Sequence, residues 1–404
     1  MDLKSGYPYW AVKNGLMQAF PPLEDDLRCD VLVVGGGITG ALAADELARH
    51  GHEVAVVEQR DIGWGSSAAS TGLLQYEIDT HMVDLAKRYG EADAVLAYRA
   101  CAEAIPALGA LARGLRDGGY GRAESLYFAS RRRDVRDLRA EFELRAKHGF
   151  DVEWFGADAL GERYRIDAPA AILSRLGAHV DPYRTTYRLL GRLQRSGAGV
   201  FDRTAIAHVQ TTARGIVATT AQGAVVRAGH VVFAAGYANQ RWLDENVARN
   251  RSSYAFITDP IDPALLGDLG RTMVWESARP YLYLRPTGDH RLLVGGEDDA
   301  VDIPARRDAR VEKKARILLE RVAKMFPHLP LQPAFSWAGT FAETDDGLPF
   351  FGAHPKHGPR VLFAMAYGGN GITYSMAGAG LLRALVERRR HPLAELFSFR
   401  RLDR

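Results

Sequence analysis

The first clear hydrophobic signal in the chain is Val31-Leu32-Val33-Val34, a run without polar interruption that ends in glycines. Such a run predicts a strand buried on both faces, as in a parallel sheet. From Ala41 to His50, Ala41, Leu42, Ala44, Leu47 and Ala48 are apolar while Asp45, Glu46 and Arg49 are not, which predicts a helix closed by Gly51. Val54 to Val57 is a second buried strand and ends in Glu58, completing a βαβ-type opening within about thirty residues. Residues 81 to 150 read as helical. Ile105, Leu108, Leu111 and Leu115 recur at helical spacing, as do Val135, Leu138 and Phe142, with a short strand predicted at Leu126 to Ala129. From 198 to 235 the pattern shortens to strands at Thr204 to Val209, Gly215 to Thr219, Val225 to Arg227 and Val231 to Ala234. Strand texture continues through 254 to 297, where Tyr281, Tyr283 and Arg285 alternate with Leu282 and Leu284. Val311, Ala315, Leu318, Val322 and Met325 predict a helix over 308–326. Strands near 334–342 and 361–366 precede a closing helix from Ile372 to Arg390.

Composition narrows the class. The 404 residues are 47% hydrophobic and 25% charged, which supplies a sizeable core and argues against disorder. Lys and Arg number 52 against 49 acids, and with only eight Lys the balance is 44 Arg. Acids interleave with them, so a solvated surface is expected in place of a nucleic-acid patch. Cys29 and Cys101 are far apart and form no C-x-x-C, which excludes a disulfide scaffold, a zinc site and a dithiol redox centre. His354 and His357, flanked by prolines, lack further ligands, so no metal is expected. No run of eighteen apolar residues predicts a membrane span, Met1 to Trp10 lacks a signal-like apolar region, and the expected compartment is the cytoplasm.

The chemistry begins at Gly35, Gly37 and Gly40, which match G-x-G-x-x-G between a buried strand and a helix. Gly35 makes the tight turn, Gly37 admits a pyrophosphate to the backbone, and Gly40 lets helix and strand pack closely. Ile38 and Thr39 open the helix, whose N-terminus favours the anion. Glu58 is placed to accept ribose hydroxyls, with Gln59 and Arg60 beside it and Ile206 in a later strand. Three further segments decide between NAD and the longer FAD. They are Gly63 to Gly72 with Gly65, Ser66 and Ser67, the strand end Val232 to Gly236 with Ala235, and the loop Gly368-Gly369-Asn370-Gly371-Ile372 that opens the last helix. Together they favour FAD, because a flavin ring must be held by distant parts of the chain.

With these pieces assembled, the chain resembles the D-amino-acid-oxidase/glycine-oxidase-like family of FAD-dependent oxidoreductases from about 28 to 400. The likeness rests on GGGITG with Glu58, GWGSS, the FAAG strand, GTFAETDDGLPFFG from Gly339 to Gly352, and GGNGI. Tyr7-Pro8-Tyr9-Trp10 and DDGLPFFG resemble the gamma-glutamylputrescine-oxidase-like branch. The resemblance implies an α/β fold (α+β overall), with a Rossmann-like FAD domain and a substrate domain on a mixed, largely antiparallel sheet. The expected boundaries are 28–80, 150–245 and 335–404 for the FAD domain, 81–149 and 246–334 for the substrate domain, and 1–27 as an N-terminal extension. It also implies oxidation of a C–N bond by hydride transfer to flavin N5. Three departures bear on that. Gly339-Thr340-Phe341 holds no Cys for covalent attachment, so FAD is expected to be non-covalent; Thr71 to Gln75 holds no Arg for a substrate carboxylate; Arg291 to Val294 holds no Lys for oxygen activation. The electron acceptor is therefore oxygen or a quinone or protein partner.

On the alternating strand, period two places Tyr281, Tyr283 and Arg285 on one face. If that face lines the flavin, Arg285 holds a carboxylate and a Tyr orients the amine; otherwise it is a sheet edge. Tyr367 is a candidate for the flavin edge and Phe341 for packing beside the ring. Glu297, Asp298 and Asp299 offer carboxylates for a cationic tail, or a solvated turn. The expected substrate is a small amine or amino acid. The alternatives are a FAD-dependent 2-hydroxy-acid dehydrogenase and a non-catalytic FAD-binding assembly protein.

Overall fold

The computed structural model describes residues 3–301, 303–365 and 367–403; Met1, Asp2, Asp302, Ala366 and Arg404 lie outside the described residues. Val31 to Val34 are at most 7% exposed, because the strand Leu27–Val34 runs between two parallel neighbours, Val54–Val57 and Val225–Phe233. Its side chains alternate between two cores. Val31 and Val33 pack with the helices Ile38–Arg49 and Gly371–Val386, while Leu32 and Val34 pack with Ile206, Ile216 and Phe363. The eight-stranded sheet runs Phe350–Ala353, Val361–Met365, Val225–Phe233, Leu27–Val34, Val54–Val57 and Gly199–Phe201, with Ile216–Thr220 and Ile206–Thr211 carried on Val225–Phe233. The two short strands predicted around 225 and 231 are one, since pairing to Leu27–Val34 continues through Ala228 and His230.

A ten-stranded sheet makes the second layer. Its order is Lys4–Gly6, Pro333–Glu343, Arg249–Thr258, Leu292–Asp299, Leu282–Pro286, Thr272–Glu276, Gly121–Phe128, Ala170–His179 and Leu73–Leu74, with Val152–Gly156 also on Ala170–His179. Gly121–Phe128 and Thr272–Glu276 pair in parallel and the other pairs are antiparallel, so the sheet is mixed. The helix Val311–Met325 covers its outer face through Val311, Ala315, Leu318 and Val322, against Tyr254, Phe256, Leu292 and Val294. Ala255, Ile257, Leu293 and Trp337 on the inner face join the core of the first layer.

Sheet membership redraws the expected boundaries. Leu73–Leu74, Val152–Gly156, Ala170–His179 and all of Pro333–Glu343 beyond Ala334 came from stretches assigned to the cofactor domain, yet all lie in the ten-stranded sheet. Lys4–Gly6, from the expected extension, is an edge strand with Lys4 opposite Gly339. A short strand's own pattern specifies which face is buried, and the partner is chosen by non-local pairing. Among the helices, 308–326 resolves into Pro304–Asp308 and Val311–Met325, and the last helix ends at Val386. Glu91–Arg113 has the length and hydropathy to cross a membrane, although no span was expected; here Ala94, Ala97, Tyr98, Cys101, Ile105 and Leu108 enter the core.

Candidate functional site

The carboxyl ends of the parallel strands open on an elongated cavity that includes Val34, Val57 and Ala234, the position where open parallel sheets bind ligands. Gly35 has φ +122°, and a Cβ there would lie 2.4 Å from the Ala234 carbonyl oxygen. A Cβ on Gly40 would lie 1.9 Å from the Gly35 carbonyl oxygen. Strand, turn and helix therefore meet at a distance that only hydrogen fills. Gly37 caps the helix Ile38–Arg49 without a side-chain hydrogen bond. The Ile38 N–H donates to Ser67 Oγ at 2.9 Å, and the helix end carries partial positive charge for an anion. Glu58 accepts from the Gly36 and Arg60 N–H groups at 2.9 and 3.0 Å. Its carboxylate keeps lone pairs for ribose hydroxyls, beside Gln59, Thr204 and Ile206 in the same wall.

The far end of the cavity is fixed by the loop before the last helix. Gly369 N–H donates to Asp79 Oδ2 at 2.9 Å, and Asn370 Nδ2 donates to the carbonyls of Gln75 and Glu77 at 3.0 and 2.9 Å. Residues 75, 77 and 79 are themselves part of the wall. The inner face of the ten-stranded sheet closes this end with Ser253, Ala255, Trp275, Tyr281, Tyr283 and Trp337. The rings of Tyr281 and Tyr283 are 5.7 Å apart, and Trp275 stacks on Tyr127 at 3.7 Å. Burial, reinforced by the Asp298 carboxylate, pushes the Tyr283 phenol up to about 12 and Tyr281 well above the usual value. Both are neutral hydroxyls at neutral pH, suited to orienting a ligand and not to acting as phenolate bases.

All the residues expected at the cofactor line this cavity except Gly40, which stands behind it in the strand–helix contact. Tyr281, Tyr283 and Phe341 line it as well; Arg285 and Tyr367 do not. The Arg285 expectation needs correction. Its guanidinium is not among the lining groups but is held just behind the wall residue Thr71. There Nε donates to the Thr71 carbonyl at 2.8 Å, Nη1 to the Pro286 carbonyl at 3.0 Å, and the guanidinium lies 5.3 Å from the Trp10 ring. Tyr367 is buried with its ring 5.2 Å from Tyr237 and its hydroxyl 3.5 Å from the Gly236 carbonyl. The acidic triplet splits: Glu297 bonds Lys314 and Arg321 on the outer helix and Asp299 bonds Arg310, while Asp298 interacts with Ser253 and both tyrosines. Sequence reasoning passed over Leu3, Asp79, Arg241, Ser253 and Trp275, all in the wall. Trp275 was findable in the apolar run Met273-Val274-Trp275, which reads as a buried strand; Asp79 carries no local mark.

The fit to FAD is steric and polar. The cavity is continuous from Glu58, past the bare turn at Gly37, to the Gly368–Ile372 loop. A sequence model described as FAD dependent oxidoreductase (DAO) matches residues 30–385. Gamma-glutamylputrescine oxidoreductase of Escherichia coli (strain K12) is 27% identical over 397 residues, covering 94% of this chain and 89% of that protein. Glycine oxidase of Geobacillus kaustophilus (strain HTA426) is 28% identical, covering 90% of this chain and 94% of that protein. The crystal structure of glycine oxidase from Geobacillus kaustophilus superposes with a TM-score of 0.78 at 25% identity, over 92% of this chain and 98% of that one. Nucleotide cradle, mixed second sheet and near full-length likeness agree: the chain belongs to the DAO family of FAD-dependent oxidoreductases.

Proposed function

We propose that the protein oxidises the C–N bond of a small amine or amino acid, with FAD held non-covalently in the cavity. The observation that carries this is the single cavity itself, which joins the Glu58 end to a chamber walled by Tyr281, Tyr283, Trp275 and Phe341. The names of the relatives, an amine oxidoreductase and an amino-acid oxidase, support the substrate class. The N-terminus of the helix Ile38–Arg49 would hold the pyrophosphate, Glu58 the adenosine ribose, and the Gly368–Ile372 loop the edge of the flavin ring. Bound there, FAD supplies an acceptor for a hydride equivalent. The chain's own part is to orient the amine with neutral Tyr hydroxyls and to exclude water with Trp275 and Trp337. No cysteine is in the wall among the described residues, which supports non-covalent binding. Cys29 and Cys101 are free thiols, in keeping with a cytoplasmic setting.

The test is anaerobic mixing of the yellow protein with panels of amines, amino acids and 2-hydroxy acids. Bleaching of the flavin by an amine or amino acid is the expected result; bleaching by hydroxy acids alone overturns the reading. Comparing reoxidation in air with reoxidation by a soluble quinone then identifies the acceptor.

A further inference from the structure

The charge of the chamber separates the two substrate classes that share the proposed chemistry. An α-amino acid brings a carboxylate next to its reacting nitrogen and needs a cation in the wall to receive it. Among the described residues the only arginines in the wall are Arg60 and Arg241. Both stand at the nucleotide end: the Arg60 N–H bonds Glu58, and Arg241 Nη2 bonds the Ile206 carbonyl. Arg285 is not in the wall: its Nε and Nη1 donate to the Thr71 and Pro286 carbonyls, and its buried Nη2 has no hydrogen-bond partner among the described residues.

The substrate end is acidic instead. Asp79 is in the wall, with one carboxylate oxygen bonded to the Gly369 N–H. Glu77 is also there, 3.9 Å from the Arg145 guanidinium that Glu141 holds at 2.8 Å, and neither of its carboxylate oxygens has a hydrogen-bond partner among the described residues. Asp298 stands one layer back, on the side of the sheet that carries Ser253, Tyr281 and Tyr283. Its Oδ1 is inaccessible to solvent and has no hydrogen-bond partner among the described residues. Burial, with Asp79 and Glu343 nearby, pushes that carboxyl up to about 7, while Ser253 and Arg279 act the other way. Arg279 is exposed and lies 4.7 Å from the Tyr281 ring, so its charge is spent largely in water. Independently of charge, the faces of Tyr281, Tyr283 and Trp275 form the kind of aromatic enclosure that attracts alkylammonium groups.

We propose that the site selects a cationic amine with no carboxylate beside the reacting nitrogen, with Asp79 meeting the positive charge inside the aromatic wall and Asp298, once ionised, adding negative field from behind it. This rests on the amine-oxidising reading above and narrows it to carboxylate-free amines.

The test is a matched pair, 1,4-diaminobutane and ornithine, which differ only by the α-carboxylate. Each is mixed anaerobically with the FAD-loaded protein at about pH 8.5, where Asp298 is ionised, and the concentration dependence of flavin bleaching gives its apparent Kd. The expected result is binding of the diamine at least about tenfold tighter than ornithine, with that preference lost in Asp79→Asn and reduced in Asp298→Asn. Ornithine matching or surpassing the diamine with a 2-oxo acid as its product overturns the inference and leaves amine oxidation standing, while oxidation of ornithine at its δ-nitrogen supports the inference. Bleaching by 2-hydroxy acids alone, or by none of these compounds, overturns both. The parent protein decides the matter by itself, so the inference stays testable if either variant fails to fold.

Discussion

Gly37 shows how little room a single position allows. A Cβ there would lie 3.1 Å from Ser67 Oγ, the atom that receives the Ile38 N–H. Gly37→Val is therefore expected to weaken FAD retention by about tenfold or more, read from the flavin absorbance of the purified protein; a fully yellow variant would contradict it. Arg285 gives the opposite lesson. Because its guanidinium bonds the Thr71 and Pro286 carbonyls, Arg285→Met should cost ~1–3 kcal/mol of stability in denaturant titration, with the diamine Kd of the folded protein unchanged. Asp298 is raised by burial from an ordinary value of 3.8 to about 7, so the fold favours its neutral form. Its contribution is intact below about pH 4 and is lost as pH rises through about 7. Asp298→Asn should consequently be ~1–3 kcal/mol more stable than the parent at pH 8 and equal to it at pH 4. The glycines could be read in the sequence because their steric demands are met within a few residues. Whether Arg285 reached the chamber could not, since that depends on how a distant strand meets the wall.

Asn370 acts on an element. Its side chain holds the carbonyls of Gln75 and Glu77, so the loop ahead of the last helix and the 75–79 wall are one unit. Asn370→Ala should lower stability by ~1–3 kcal/mol. It should also lessen the protection that added FAD gives in a thermal melt, because the wall is no longer held; unchanged FAD protection would show the segment to be fixed by other means. At this scale the sequence revealed most of the elements but not their partners. The parallel run at Val31 to Val34 stood out because it is buried on both faces. Ala170–His179 was not anticipated, since its Ala, Leu, Ser, Arg and Gly carry little strand preference, while Pro333–Glu343 and Val225–Phe233 both read as strands yet join different sheets.

Across the whole molecule, the C-terminal turn is clasped to the segment between the sheets. Arg401 donates to Asp346 Oδ2 at 2.6 Å and to the Leu348 and Pro349 carbonyls at 3.1 Å, and Tyr89 donates to the same carboxylate at 2.6 Å. Burial opposes ionisation of Asp346, but Arg401, Tyr89 and the Leu348 N–H prevail and hold it below the usual carboxylate value. A lowered carboxylate stabilises the fold above its ordinary range and ceases to do so as pH falls through its lowered value. Arg401→Met removes the cation from that buried charge and is expected to cost ~3–5 kcal/mol near neutral pH, a difference that shrinks as pH falls through the lowered Asp346 value when both proteins are titrated with urea.

Leu3 and Ile372 belong to the same wall. The enclosure around the pigment is therefore complete only when the chain from residue 3 to residue 372 has folded together. Once seated, the pigment stabilises the finished form by mass action, and a pale preparation reports incompletely loaded or incompletely folded molecules.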